Sequence, residues 1–392
     1  MRTATKPGDM PPAGPRDGDL RDSEFERRFR RAPECACCAP GRVNLIGEHV
    51  DYNGGSVLPT VIPESARVAI AAREDQEVRF ASVEAGGEIE RYVLGREEPR
   101  GSWVDYAQGA TRLLAVEGHR FTGFDAVVGS DVPIGSGLSS SAALLVALLR
   151  ALRERFQLAL DDVALARLAQ RAENEFVGAR VGVMDPMASS LGRAGQALLL
   201  RTKDLAYRYV PIPDAVELIV VDSGQEHRNA GGAYNRRRAE CEEAARRLDV
   251  PLLCDLPVAS WGRLAGLPPP LDRRARHVVT ENERVHAAVA ALEAERLEEL
   301  GALLDASHRS LRDDYEVSTP EIDLLVRGLR EQDGVVGARL TGGGFGGAVI
   351  AVARRGAGAA AAREGAAAYA RATGLRPTVV VPRGNSVPEG RG

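Results

Sequence analysis

Short apolar runs separated by turn-forming residues dominate the first third of the chain. The runs SVLPTVIP, ARVAIAA and EVRFASV are rich in β-branched residues, a composition typical of strands. From residue 124 the pattern changes to a strand, FDAVVGSDVP, a glycine- and serine-rich loop, IGSGLSSS, and a continuous apolar helix, AALLVALLRALRERF. A second helix, with leucine and alanine at helical spacing, is predicted over residues 161–176. The first half is therefore expected to combine a β-rich region with helices.

The second half repeats this mixture of strands and helices. The runs AVELIVVDSG, GVVGARLTGGGFGGAVIAVA and PTVVVP predict strands, and the charged or alanine-rich segments between them predict helices. Two α+β domains are the simplest account, and we place them at residues 23–200 and 201–382. Residues 1–22, rich in proline, glycine and aspartate, are expected to form a disordered tail, and residues 383–392 a second tail.

Composition and charge narrow the functional classes. With 392 residues, 44% of them hydrophobic, the chain can bury a substantial core, which favours a globular enzyme. Its 51 basic and 55 acidic residues give a net charge of -4, so no basic excess is available to bind nucleic acid or an anionic membrane. No apolar run approaches the roughly 18 residues that span a bilayer, and the amino terminus lacks the apolar core of a signal peptide. We expect a cytoplasmic protein with no nucleic-acid or membrane partner.

The loop PIGSGLSSSAA, residues 133–143, predicts a phosphate-binding site. Its closely spaced backbone amides and hydroxyls precede a helix, and the dipole at the start of a helix favours an anion. It is not a Walker A loop, because the only lysines in the chain are Lys6 and Lys203, and serine replaces the third glycine of a Rossmann motif. An ordinary tight turn before a buried helix is the alternative that these residues alone leave open.

A second glycine-rich loop, LTGGGFGGA at residues 340–348, has five glycines within six positions. Glycine is favoured where the backbone needs positive φ or where another group approaches closely. A plain hairpin turn needs only one or two glycines. We therefore predict a loop that approaches a ligand rather than a simple turn.

The segment GRVNLIGEHVDYNGG, residues 41–55, concentrates polar side chains in a loop between strands. They are Arg42, Asn44, Glu48, His49, Asp51, Tyr52 and Asn53. Carboxylates, an imidazole and amides in such a loop can hydrogen-bond several hydroxyls of a polyol. A solvated polar loop is the alternative, and no metal-binding spacing such as H-E-x-x-H accompanies His49.

These three segments resemble the three signature motifs of the GHMP kinases, in their usual order and approximate spacing. The first resembles the galactokinase signature nearly residue for residue, and the likeness continues through RHVVTENERV, SHRSLRDDYEVSTPEID and LTGGGFGGA. The resemblance implies a two-domain α+β GHMP kinase fold, with an N-terminal domain like domain 2 of ribosomal protein S5 and a ferredoxin-like C-terminal domain. It also implies the galactokinase reaction, transfer of the γ-phosphoryl group of MgATP to the C1 hydroxyl of galactose.

Matched position by position, the resemblance assigns roles to single residues. Asp185 corresponds to the proposed catalytic base and Arg42 to the partner that stabilises its charge. These roles suit phosphoryl transfer, which needs an acceptor for the hydroxyl proton and neutralisation of charge. Ser141 and Glu173 correspond to the magnesium ligands, hard oxygen donors of the kind that Mg²⁺ prefers. Trp103 would lie against the adenine, and a core aromatic is the alternative for it.

The same matching assigns two larger sets of residues. The predicted sugar contacts are Glu48, His49, Asp51, Gly182 and Tyr234. The predicted phosphate-binding residues are Gly135, Ser136, Gly137, Leu138, Ser139, Ser140 and Ser141. The resemblance thus implies galactose and ATP as small-molecule partners and Mg²⁺ as cofactor, and we expect a monomer.

Two departures from the galactokinase pattern leave alternatives open. Val50 stands where threonine is usual, which removes one hydroxyl beside the sugar loop. Pro186 stands where glutamine is usual, and we expect it at the first position of a helix capped by Asp185. One alternative is an anomeric kinase for arabinose, galacturonate or N-acetylgalactosamine, and the other is a galactose sensor without useful catalysis. The presence of Arg42, Asp185 and the loop serines favours a working enzyme.

Overall fold

A computed structural model describes residues 18–381 except 85, 87 and 226–229. Its α-helices, α1 to α11, are Gly18–Phe29, Val104–Val116, Ser140–Phe156, Asp162–Arg171, Met184–Leu191, Ala230–Arg247, Trp261–Ala265, Leu271–Glu293, Leu297–Asp313, Pro320–Arg330 and Gly358–Thr373. Its strands, β1 to β12, are Cys35–Asn44, Ser56–Val57, Pro59–Ala72, Glu77–Ser82, Ile89–Val93, Phe124–Ser130, Gln196–Arg201, Ala206–Pro211, Val216–Asp222, Val335–Thr341, Ala348–Arg354 and Thr378–Val381. The predicted tail at 383–392 and residues 1–17 of the other lie outside the described residues. Residues 18–22 belong to α1.

The long strand β3 organises the first sheet. It pairs antiparallel with β1 along its length, with β6 through residues 66–72 and with β7 at Thr60. The sheet order is β2-β7-β3-β6-β4-β5, β8 pairs with β7, and only β4 and β6 run parallel among these described strands. The apolar helix α3 packs across β1 and β3, and its residues Leu145 and Leu149 are fully buried there.

The second sheet has the order β10-β11-β9-β12, and all of its neighbouring strands are antiparallel. Helices α6 to α10 connect β9 to β10, and α11 connects β11 to β12. This βαββαβ arrangement confirms the expected ferredoxin-like domain. Helices α10 and α11 pack on the sheet, where Leu325 and Leu329 join Val349 and Ala351 in a second core.

The first sheet continues beyond residue 200, since β8 at Ala206–Pro211 pairs with β7. The second sheet begins with β9 at Val216. The proposed domain limits at residues 200 and 201 remain a prediction. Within the part of the chain that the structure covers, no helix is long and apolar enough to cross a membrane.

Four chain segments meet where the two domains join. β1 ends at Asn44, whose backbone N–H donates to the hydroxyl of Thr341 at the end of β10, over 3.3 Å. The backbone N–H of Arg42 donates to the carbonyl of Leu138, two residues before α3 begins, over 3.1 Å. The side chain of Arg42 reaches Asp185 at the start of α5. The three motifs singled out in the sequence therefore converge on one place.

Candidate active site

Arg42 and Asp185 form a bidentate ion pair at this junction. The Nε atom of Arg42 donates to one carboxylate oxygen at 2.8 Å, and Nη2 donates to the other at 2.6 Å. The Nη1 atom donates to the carbonyl of Gly137 at 2.6 Å, so one guanidinium joins the carboxylate to the glycine–serine loop. The Arg42 side chain is buried, whereas 28% of the Asp185 side chain is exposed. The two parallel hydrogen bonds fix the carboxylate and leave part of it open to a substrate.

Asp185 is the second residue of α5, which begins at Met184 after Val183. Pro186 is therefore the third residue of the helix rather than the first, and Asp185 is not its cap, in contrast to our expectation. The N–H groups of the first helical turn have no partner within the helix, so proline is tolerated there. The hydroxyl of Ser139 donates a further hydrogen bond to the Asp185 carboxylate.

The glycine–serine loop, residues 133–139, bends repeatedly before α3. Gly135, Gly137 and Ser139 have φ angles of 76°, 77° and 64°, so every second residue is left-handed. The side chain of Leu138 is buried and anchors the loop. A Cβ atom at Gly135 would meet no heavy atom within 4 Å, so the backbone there borders open space. Such a loop leading into a helix can present backbone amides to a phosphate.

Trp103 immediately precedes α2 and packs on the first core. Its ring centroid lies 5.1 Å from that of Phe80, and the side chain is half-buried. This packing agrees with the alternative interpretation of Trp103 as an aromatic residue of the core. The adenine contact of Trp103 stays a prediction.

Glu173 lies in a π-helical turn, Ala172–Val177, that continues α4. Such turns are frequent at functional sites. The pKa of Glu173 is raised to about 7, chiefly by burial and also by the negative charge of Asp185, and a hydrogen bond with Ser141 opposes this shift. Ser141 and Glu173 are therefore adjacent, and Glu173 lies near enough to Asp185 for their charges to interact.

These oxygen donors fit a magnesium ion that is shared with a nucleotide. Mg²⁺ in kinases is bound by one or two carboxylates together with substrate phosphates, rather than by a cage of protein ligands. The described residues contain no cluster of three or more His, Cys, Asp or Glu suited to a metal. A cation beside Glu173 would compensate its buried charge.

Asp51 and Gly182 are in direct contact. Asp51 begins a short 3-10 helix, Asp51–Asn53, and a Cβ atom at position 182 would lie only 1.5 Å from Oδ2 of Asp51. Glycine is therefore required there for the carboxylate to keep its place. Burial and, after it, the negative charge of Asp185 raise the pKa of Asp51 to about 7. The two carboxylates are therefore close enough for their charges to interact.

Tyr234 and His49 complete this wall of the site. The ring of Tyr234, on α6, lies 5.5 Å from the ring of His49 and 5.6 Å from that of Tyr52. Burial, with the charges of Asp51 and Asp185, raises the pKa of Tyr234 well above its usual value. Burial lowers the pKa of His49 to about 3, so its imidazole is neutral near pH 7. Its Nδ1 atom shares a 2.8 Å hydrogen bond with the hydroxyl of Tyr52.

Two predicted features of the sugar loop have a different environment from the one expected. Glu48 is 1% exposed, and its carboxylate accepts hydrogen bonds from Thr341 and Gly342 of the second domain. The sugar contact of Glu48 stays a prediction. Burial raises the pKa of Glu48, and the positive charge of Arg339 opposes this shift. Val50 is fully buried in the second core. The valine side chain thus lies in the apolar core, and the expected loss of a hydroxyl beside the sugar does not follow from its position.

A cleft of about 420 Å³ opens beside Asp51 and Gly182. Its other walls come from the 3-10 helix, α4, the π-helical turn, α6 and the segments 181–183 and 202–205: Tyr52, Arg167, Gln170, Asn174, Val181, Val183, Thr202, Lys203, Asp204, Leu205 and Arg238. The Asn174 side chain accepts from the N–H of Val181 at 2.8 Å and donates to its carbonyl at 3.2 Å. This pair of bonds holds the segment that carries Gly182. Sequence reasoning missed Asn174, because no motif marks a side chain that acts on a backbone seven residues away.

A larger open cleft, of about 1340 Å³, lies near the C-terminal end of α3, where Phe156 and Arg155 line it. Its buried carboxylate, Asp125, is paired with Arg31 and Arg79. α3 has 17 residues, so this cleft lies about 25 Å from the glycine–serine loop. It is too distant to take part in chemistry at Asp185.

Comparison with known families assigns most of the chain. Residues 23–72 match the family described as the galactokinase galactose-binding signature. Residues 105–193 match the N-terminal domain of GHMP kinases, and residues 288–371 match the GHMP kinase C-terminal domain. The matched regions contain the ion pair, the glycine–serine loop and the second glycine-rich loop.

Individual relatives agree with this assignment. The chain is 42% identical to a galactokinase of Roseiflexus sp. over 372 residues, which is 93% of this chain and 95% of the relative. It is 44% identical to a galactokinase of Chloroflexus aurantiacus over 91% of this chain and 93% of the relative. The Lactococcus lactis galactokinase solved in complex with galactose superimposes with a TM-score of 0.86 at 32% identity, covering 91% of this chain and 95% of that one. The Methanococcus jannaschii mevalonate kinase, at a TM-score of 0.65 and 18% identity over 88% of this chain and 97% of that one, shares the fold.

Proposed function

The chain belongs to the galactokinases of the GHMP kinase family, and from this premise we propose that it transfers the γ-phosphoryl group of MgATP to the C1 hydroxyl of galactose. The products are galactose 1-phosphate and ADP. The observation that carries the proposal is the guanidinium of Arg42, which binds the Asp185 carboxylate and the carbonyl of Gly137 at once. This guanidinium holds the carboxylate of Asp185, a proton acceptor, next to the glycine–serine loop, which is suited to binding a triphosphate.

In the proposed reaction Asp185 orients the C1 hydroxyl of the sugar and accepts its proton. The buried guanidinium of Arg42 keeps the carboxylate in place and offsets negative charge that develops as the phosphoryl group moves. Backbone amides between Gly135 and Ser140 hold the phosphates at the start of α3. Catalysis then arises chiefly from positioning and charge neutralisation, as phosphoryl transfer requires.

Ser141 and Glu173 are proposed to hold Mg²⁺, which supplies charge neutralisation at the phosphates when it is bound. Their adjacency and the buried carboxylate of Glu173 support this assignment. Ser139, whose hydroxyl donates to Asp185, connects the glycine–serine loop to the proton acceptor.

The sugar is proposed to lie in the space that Asp51, Gly182, His49 and Tyr234 border. Asp51 and the neutral His49 can accept or share hydrogen bonds with sugar hydroxyls, and such pairing rejects analogues that lack the hydroxyl. The contact of Asp51 with Gly182 supports this arrangement, because it places the carboxylate at a close backbone approach. Monomeric state, cytoplasmic location and the lack of nucleic-acid or membrane partners remain predictions from the sequence.

An ADP-release assay across several sugars tests the proposal. Galactose is expected to be the best substrate among galactose, arabinose, galacturonate and N-acetylgalactosamine, and ³¹P NMR should identify an anomeric phosphate. More efficient turnover of another sugar would contradict the assignment of galactose as the substrate. Galactose binding without turnover would favour the sensor alternative instead, although the intact pair of Arg42 and Asp185 supports catalysis.

A further inference from the structure

The segment RHVVTENERV, residues 276–285, lies in the middle of α8 and contacts the sugar loop, residues 45–55, between β1 and β2. The backbone of this loop is left-handed at Gly47, His49 and Gly54, with φ angles of 106°, 62° and 77°. For a residue other than glycine such a conformation costs free energy, and it persists only where the surrounding structure holds it. The shape of the sugar loop at His49 therefore depends on its contacts.

His277 bonds the main chain of the sugar loop between two predicted sugar contacts. Nε2 of its ring lies 3.1 Å from the carbonyl oxygen of Glu48, and Nδ1 lies 3.0 Å from the hydroxyl oxygen of Ser310. A carbonyl oxygen can only accept, so Nε2 carries the ring proton. Burial lowers the pKa of His277 to about 4, which keeps the ring neutral near pH 7. This carbonyl belongs to the peptide that joins Glu48 to His49, so one hydrogen bond orients the backbone of both residues.

Two further side chains of α8 hold the sugar loop on either side of this peptide. The carboxylate of Glu281 accepts the backbone N–H of Gly47 at 3.0 Å. The side-chain oxygen of Asn282 accepts the backbone N–H of Ser56, where β2 begins, at 2.8 Å. A Cβ atom at Gly47 would lie 2.9 Å from Cγ2 of Val285, so α8 comes as close to the loop as glycine allows.

The helix α8 gives these contacts a rigid support. It has 23 residues and packs against α6 and α9. Groups that a helix supports keep their positions more precisely than groups held by a loop alone. Without the N–H of His277, the buried carbonyl of Glu48 loses this donor, and loop conformations that turn it elsewhere gain population. The apparent affinity for a ligand falls with the fraction of molecules that can bind it.

We propose that His277 is a positioning residue for the galactose site, whose imidazole N–H holds the peptide between Glu48 and His49 in the orientation that binds the sugar. The inference rests on the proposed function for the identity of the sugar. It gives the segment 276–285, which carries part of the resemblance to galactokinases, a role in sugar binding. That role is indirect, because the segment contains none of the predicted sugar contacts.

Steady-state kinetics of two substitutions at position 277 test this inference. His277→Leu is close to histidine in size and has no donor, whereas His277→Gln carries an amide N–H₂ at about the reach of Nε2. In His277→Leu the KM for galactose is expected to rise about tenfold, the effect of one buried acceptor left unpaired. In His277→Gln it should stay within about threefold of the wild-type value, because the donor is restored.

The KM for MgATP should change by less than about twofold in both variants, the scale of a substitution away from the ligand. Calorimetry with galactose alone should give the same order of affinities, with His277→Leu the weakest. His286→Leu is the matched control, because it makes the same change at an exposed position of the same helix. It should leave both constants unchanged.

Three results would each overturn the inference. The first is a wild-type galactose KM in His277→Leu, with or without a loss of thermal stability, which would make His277 a residue of the core only. The second is an equal rise in His277→Leu and His277→Gln, which would show that the N–H is not what holds the peptide. The third is a parallel rise in the KM values for galactose and MgATP.

A second variant covers the case in which His277→Leu does not fold. Asn282→Ala removes the acceptor for Ser56 and should raise the galactose KM by about fivefold or more, with the MgATP KM kept. An unchanged galactose KM in this variant would then overturn the inference. If the wild-type protein phosphorylates another sugar and not galactose, the substrate assignment fails, and the same comparison with that sugar still decides whether His277 positions the loop.

Discussion

Replacing Gly182 with alanine is expected to weaken galactose binding through Asp51. A Cβ atom at this position would lie 1.5 Å from Oδ2 of Asp51, roughly 2 Å inside the ordinary contact distance of 3.4–4 Å. The carboxylate must move away, and it then loses a hydrogen bond that it would accept from a sugar hydroxyl. A hydrogen bond to a charged group contributes about 1.5–3 kcal/mol, which corresponds to about 10- to 150-fold in affinity.

A coupled kinase assay measures this effect as the KM for galactose in Gly182→Ala, with the KM for MgATP recorded in parallel. The galactose KM should rise by that factor, and the MgATP KM should stay near the wild-type value. Gly232→Ala, on α6, is the matched control, because a Cβ atom there would meet nothing within 4 Å. It should leave both constants unchanged. A wild-type galactose KM in Gly182→Ala would refute the placement of Asp51 beside the sugar.

Four further substitutions examine the rest of the site. Asp185→Asn is expected to lower kcat by about 10²–10⁴-fold, the usual contribution of general acid–base catalysis. Calorimetry should still detect galactose binding by this variant. Normal turnover would contradict the role of Asp185 as proton acceptor. Glu173→Gln and Ser141→Ala should each raise the Mg²⁺ concentration needed for half-maximal rate, and unchanged Mg²⁺ titrations would remove both from the metal site. Because the pKa of Asp51 is raised from 3.8 to about 7, the ligand-free protein should lose stability as the pH rises through this window. Asp51→Asn should reduce that slope in thermal unfolding, and an identical slope would exclude Asp51 as a titrating group.

The local organisation of the glycine–serine loop could be predicted from the sequence. A β-branched strand, a loop of glycine and serine and an apolar helix follow one another directly, and the structure has β6 end at Ser130 and α3 begin at Ser140. Each signal acts over a few residues, so propensity and spacing are sufficient. The predicted helix over residues 161–176 corresponds to α4 and the π-helical turn, but no pattern indicated the change of helix type.

Contacts between distant segments could not be derived in this way. Arg42 and Asp185 are 143 positions apart, and only the resemblance to a family suggested that they act together. Glu48 and Gly342 are 294 positions apart, and no local pattern indicates that the backbone N–H of Gly342 donates to the carboxylate of Glu48. Tertiary packing buries that side chain against the second domain. Tertiary packing also explains Val50. The sequence suggested that valine at this position removes a hydroxyl beside the sugar loop, but its side chain is part of an apolar core.

A crystal structure with galactose and a non-hydrolysable MgATP analogue would test the central claim most directly. The account predicts that the C1 hydroxyl oxygen lies about 2.6–3.2 Å from a carboxylate oxygen of Asp185, and that the γ-phosphate rests on the loop that contains Gly135 and Gly137. A complex in which another hydroxyl faces the phosphate, or in which Asp185 points away from the sugar, would contradict it.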